Sequence, residues 1–146
     1  MASKTLFTIS DTTPATAVTA VGDTVGSLLP FDWFTVDAAL VGATGGTLDV
    51  YLQRKIDTDL WADWLHFPQL SAGAAAVKYS AMSGSDKTIH VVGNTNDAGT
   101  GAPALAVNTF LGGHPGQFVR AVYVAGASTS AGAAVVIRIT GWRGNE

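Results

Sequence analysis

Carboxylate, imidazole and indole groups crowd into one short stretch, residues 57 to 69, which reads DTDLWADWLHFPQ. Asp57, Asp59 and Asp63 would place oxygen ligands at positions 1, 3 and 7 of a loop, a pattern that suits a hard cation such as calcium. The glycine and terminal glutamate of a complete calcium loop are missing. The pattern favours a hairpin turn whose Asp side chains bond nearby amides. Asn94, Asn96 and Asp97 pose the same question and receive the same answer. His66, His90 and His114 would bind zinc if they converged, but their neighbours (LHFP, IHVV, GHPG) do nothing to bring them together. No GxSxG nucleophile elbow occurs, and the loops GATGG and GTG lack the lysine and following helix of a phosphate cradle. We therefore read the chain as non-enzymatic, with no catalytic residue, metal or cofactor.

Trp61 and Trp64 could instead stack on a sugar ring. On a strand, two residues three apart point to opposite faces, so the rings would share no platform; on a short helix they would share one. Pro68 limits such a helix to a length that is marginal without tertiary support. The residues we single out as partner or ligand contacts are Trp61, Trp64, His66 and Gln69.

Strands must carry these groups. Leu48, Val50 and Leu52 alternate with Thr47, Asp49, Tyr51 and Gln53, the clearest half-buried strand in the chain. The return run 61 to 67 alternates Trp61, Asp63, Leu65 and Phe67 against Ala62, Trp64 and His66, which predicts a hairpin turning at Asp57 to Asp59. That register leaves Asp63 among apolar side chains, so it needs a hydrogen-bond partner or a place at the edge. Further strand-like runs are Thr5 to Ile9, Ala15 to Val21, Phe31 to Val41, Val77 to Met82, Thr88 to Val92, Gln117 to Ala125 and Ala133 to Trp142. In the third, Trp33, Thr35 and Asp37 face one way and Phe34 and Val36 the other. Gly22-Asp23-Thr24, Pro30, residues 42 to 46 and the loop 93 to 103 punctuate them. About eight short strands and no long amphipathic helix predict an all-β fold, an antiparallel β-sandwich of jelly-roll type. One domain spans 1–146, and residues 1–24 form either its first strands or an extended arm adding to a neighbour's sheet.

Charged residues make up 13% of the 146 residues, about half the usual share, and the net charge is −3. Eight Lys and Arg are scattered, so the basic stripe that nucleic acid requires is missing. Without cysteine, disulfides and thiolate metal sites are excluded. Val119 to Ile139 is too interrupted to span a membrane as a helix, and the N-terminal MASKTLFTISDTT lacks a secretory apolar core. Sparse charge with many small residues suits either a Thr/Ser-faced β domain or one that buries its surface in an assembly.

GGTLDVYLQRKIDTDLWADWLHFPQL resembles a pattern in small virion proteins of tailed bacteriophages: a GG turn, an LDVYLQ-type strand, an Asp-rich turn with Trp, then a (V/L)HF-Q segment. The matching residues are Gly45, Gly46, Leu48, Asp49, Val50, Tyr51, Leu52, Gln53, Trp61, Asp63, His66, Phe67 and Gln69. FVRAVYVAGASTSAGAAVVIRITGWR resembles the closing hairpin of such proteins, and the two stretches cover about half the chain. The resemblance implies a structural role, most like a capsid decoration (cement) protein. Such a protein sits on the outer surface of the virion, commonly as a homotrimer, and bridges subunits of the major capsid protein. It would be made in the host cytoplasm. A neck, tail or fibre component and a carbohydrate-binding adhesion module are the alternatives.

Overall fold

The computed structural model describes residues 4–13, 19–43, 45–58, 60–71, 77–81, 109–110, 114–126 and 133–143. Within them lie ten strands: β1 (Lys4–Thr12), β2 (Thr19–Val25), β3 (Trp33–Val41), β4 (Thr47–Lys55), β5 (Trp61–His66), β6 (Leu70–Ser71), β7 (Val77–Ala81), β8 (Thr109–Phe110), β9 (Val119–Ala125) and β10 (Ala134–Trp142). Eight have five or more residues; β6 and β8 have two each. Among the described residues there is no helix, and so none long and apolar enough to cross a membrane.

The first half of the chain pairs with the second in reverse order. β1 joins β10, β2 joins β9, β3 joins β7 and β4 joins β5, all antiparallel. Rolling this folded ribbon sets β10 beside β3 and β9 beside β4. Two sheets result, β1-β10-β3-β7 and β2-β9-β4-β5-β8, with β6 on β4. This is the strand order of a jelly roll, so the expected all-β antiparallel sandwich is what the chain forms.

Alternation drives the sheets together. Phe34, Val36 and Ala38 of β3 and Val135, Ile137 and Ile139 of β10 meet Leu48, Val50 and Leu52 of β4 and Val119, Ala121 and Tyr123 of β9, all buried. Each such aliphatic or aromatic side chain contributes about 1.5–3 kcal/mol on burial. Leu28 and Phe31 close one end, with Phe31 edge-on to Phe7 and Phe34. Gly42 and Gly46 take φ of 76° and 84° in the β3–β4 connection, a region where a side chain is strained.

Two expectations change. Gly22-Asp23-Thr24 does not end a strand; it lies inside β2, at a register shift between Val21 and Thr24. Such a bulge absorbs residues that would otherwise break the ladder. Of the segment read as first strands or arm, the described parts are strands of the chain's own sheets: Thr12 ends β1 and Thr19 opens β2. The return strand of the central hairpin also changes its faces, as described below. The expected strand 88–92, the loop 93–103, His90, Asn94, Asn96, Asp97 and Asp59 lie outside the described residues.

Candidate functional site

The central hairpin forms as β4 and β5, turning where Asp57 Oδ1 accepts the Thr58 N–H at 2.7 Å and Ile56 N–H donates to Leu60 O at 2.9 Å. Its register is not continuous. Tyr51 faces His66 and Leu52 faces Leu65, but Gln53 faces Asp63, so Trp64 is the extra residue of a β-bulge. The strict alternation read from the sequence therefore fails at Trp64. Trp64 and Leu65 both enter the core, where Trp64 packs edge-on to Phe34 at 6.1 Å. Asp63 and His66 both turn to the outer face of the sheet, away from the other sheet. Trp61, opposite Lys55, joins them there.

Register across β9 completes this layer. Gln53 lies opposite Arg120 and Tyr51 opposite Val122. Arg120 donates from Nε and Nη2 to Gln53 Oε1 at 3.0 and 2.8 Å, and Gln53 Nε2 donates to Asp63 Oδ1 at 2.9 Å. The need of Asp63 for a partner is thus met while it is 1% exposed. The Arg120 guanidinium lies over the Trp61 ring at 4.4 Å, a cation–π contact. Tyr51 stacks on His66 at 3.8 Å, and His66 Nε2 stands 4.0 Å from Asp49 Oδ1. Gln69 Nε2 donates to the same carboxylate at 3.3 and 3.4 Å. Burial first, then the charges of Asp49 and Asp63, raise the Tyr51 phenol above its ordinary range.

Three of the four predicted contacts, Trp61, His66 and Gln69, therefore belong to one polar–aromatic layer, and Trp64 does not. Only Gln69 of that trio is exposed; Trp61 is 9% and His66 3% exposed. Sequence reasoning missed Arg120 because its face depends on which strand β9 pairs with. The alternation in QFVRAVYVA put Arg120 with Val122, but nothing local placed either beside Gln53.

The core face holds a second polar group. Arg54 continues the Leu48-Val50-Leu52 row and is fully buried, donating from Nη1 to His114 O at 3.3 Å. Burial lowers its pKa to about 10. His114 is fixed by two backbone contacts: it accepts the Gly116 N–H at Nδ1 (2.9 Å), which makes Nε2 the protonated nitrogen that donates to Phe31 O (2.8 Å). His114 and His66 thus lie on opposite faces of the second sheet. Among the described residues no three His, Asp or Glu side chains gather to hold a metal. Two surface clefts, of about 230 Å³ beside Lys55, Asp57 and Phe118 and about 300 Å³ beside Asp11, Gly22 and Tyr123, reach at most the low end of ligand pockets.

Outside this layer, the first sheet presents its outer face to solvent. Lys4, Trp142 and Trp33 form one cross-strand row, with the Lys4 ammonium 5.1 Å from the Trp142 ring. Arg138 and Asp37, opposite each other two rows on, form an ion pair of 3.1 Å. Leu6, Trp33 and Val41 are 55%, 45% and 52% exposed. The chain matches no family model, and no curated protein or solved structure shows a significant match to it.

Proposed function

We propose that the chain is a structural protein of a tailed-phage virion, a capsid decoration protein that docks on the major capsid protein and bridges its subunits. The observation that carries the reading is the contrast between the two outer faces. Around Gln53 the rings of Tyr51, Trp61 and His66 are buried, and the exposed Phe118 stands at the rim, with Lys55 between it and Trp61. The face of β1, β10 and β3 instead leaves Leu6, Trp33 and Val41 open. Exposed apolar side chains among sparse charge suit adhesion by surface burial. The resemblance of the central hairpin to virion proteins supplies the context. The burial of Trp61 and Trp64 withdraws the two tryptophans first considered as a sugar platform, and the exposed Trp33 is assigned to docking in this reading.

Quantitative mass spectrometry of the virions that carry this chain tests the proposal. The expected copy number is comparable to that of the major capsid protein. A few copies per particle would replace the decoration role with one in the neck, tail or fibre.

A further inference from the structure

Two edge strands that follow each other in the chain, β1 and β2, are built differently. β2 is interrupted by the bulge between Val21 and Thr24, with Gly22 and Asp23 inside it. Bulges and charges are how edges are protected from further pairing. β1 carries no bulge, and the only charge on its outer edge is Lys4 at its first position. It runs nine residues, Lys4 to Thr12, against β10 with no register shift and no proline. Its one carboxylate, Asp11, is turned inward, accepting the Tyr123 hydroxyl at 2.6 Å and the Asp23 N–H at 3.0 Å.

One bond fixes which backbone groups of β1 are open. The Thr13 N–H donates to Ala133 O at 2.7 Å and continues the β1–β10 register. Antiparallel pairs alternate between bonded and non-bonded. Asp11, Ile9, Phe7 and Thr5 therefore point their N–H and C=O groups at β10. Lys4, Leu6, Thr8, Ser10 and Thr12 point theirs away from it, along an edge that no other described strand pairs with. The side chains of those same residues lie on the outer face and are all exposed.

We propose that two copies of the chain join by antiparallel β1–β1 pairing about a two-fold axis at Thr8. The strand itself argues for a second copy as the occupant. In this register Thr8 faces Thr8 of the second copy, Leu6 faces Ser10 and Lys4 faces Thr12. On the inner side Phe7 faces Ile9 and Thr5 faces Asp11. No like charges meet, and the two Lys4 residues stand about 27 Å apart at opposite ends. Each pair along that edge exchanges two backbone bonds. A one-residue slip would turn the faces over, and a two-residue slip would leave the strand ends unpaired. The Thr8-centred register alone pairs the whole strand and keeps its faces. The joint makes one continuous sheet, β7-β3-β10-β1 and its symmetry mate. It rests on the strand edge and stands or falls independently of the virion reading.

Sedimentation equilibrium of the full chain is expected to give twice its 15.0 kDa mass. Thr8→Pro removes an N–H that β10 does not use, so it should yield the single-chain mass with an unchanged circular dichroism spectrum. Thr8→Lys and Thr8→Glu each place like charges on the axis and should each be monomeric, while their equimolar mixture re-forms the dimer. A monomeric or trimeric wild type, a dimer indifferent to Thr8→Pro, or a charge-variant mixture that stays monomeric would overturn the proposal.

Discussion

Arg120 places both Nε and Nη2 on the single side-chain oxygen of Gln53, at 3.0 and 2.8 Å. The amide then passes the interaction on, donating to Asp63 at 2.9 Å. A neutral side chain thus joins a cation to an anion inside a layer where all three are buried. Gln53→Leu keeps the approximate volume but takes a partner from both charges. The expected loss is about 3 kcal/mol. Urea unfolding would show it as a lower midpoint with an unchanged slope. An unchanged midpoint would mean that the layer adds nothing to stability.

The tryptophans offer a way to separate folding from the proposed docking. Trp64, 1% exposed and packed on Phe34, should cost about 3–5 kcal/mol on replacement by alanine. Trp33, 45% exposed, should cost less than about 1 kcal/mol. Trp33→Ala should instead lower occupancy on purified shells in a binding assay with added capsids. Equal occupancy for Trp33→Ala and wild type would remove Trp33 from the docking surface.

Much of the fold was legible because period-two alternation is a local signal. Leu48, Val50 and Leu52 announced the inner face of β4, and Phe34 and Val36 that of β3. What stayed hidden was set by pairing between distant segments. The alternation from Trp61 to Phe67 was real in the sequence, but the bulge at Trp64 reversed the faces beyond it, and a bulge has no compositional mark here. Arg54 stands beside Lys55 in the sequence. Its alternation with Leu52 already placed it on the core face, and the missing information was the carbonyl of His114 that receives it there. Arg120 was invisible as a site residue until β9 lay beside β4.

Gly22 holds the bulge of β2 in contact with the Tyr123–Asp11 hydrogen bond. A Cβ there would collide with Asp11 Oδ2 and with the Tyr123 ring. Gly22→Ala is therefore expected to cost about 1–3 kcal/mol by overpacking. The damage should be local: Tyr123 fluorescence or ring resonances should shift while the β4–β5 hairpin keeps its amide protection in hydrogen exchange. Uniform loss of protection in both places would show that the bulge and the hairpin unfold as one unit.

The buried tyrosines favour a fall of stability in alkali. Burial raises the phenols of Tyr51 and Tyr123 above their ordinary 10.0; in Tyr123 the hydrogen bond to Asp11 and the charges of Asp11 and Asp23 add to it. Above pH 10 the unfolded chain therefore releases phenol protons that the folded chain keeps. The folded state binds more protons there, so stability falls as pH rises. Arg54 acts in the opposite sense, since burial lowers its pKa from 12.5 to about 10 and the unfolded chain holds that proton longer. The phenols and the guanidinium thus oppose each other, and removing one phenol isolates the tyrosine part. Tyrosinate absorbance from these two residues should appear at higher pH than that of a free phenol and rise together with the loss of circular dichroism. Tyr123→Phe should flatten the decline of stability above pH 10. Gradual tyrosinate formation centred on pH 10, with the fold intact and all tyrosines participating, would show that these phenols are open to solvent.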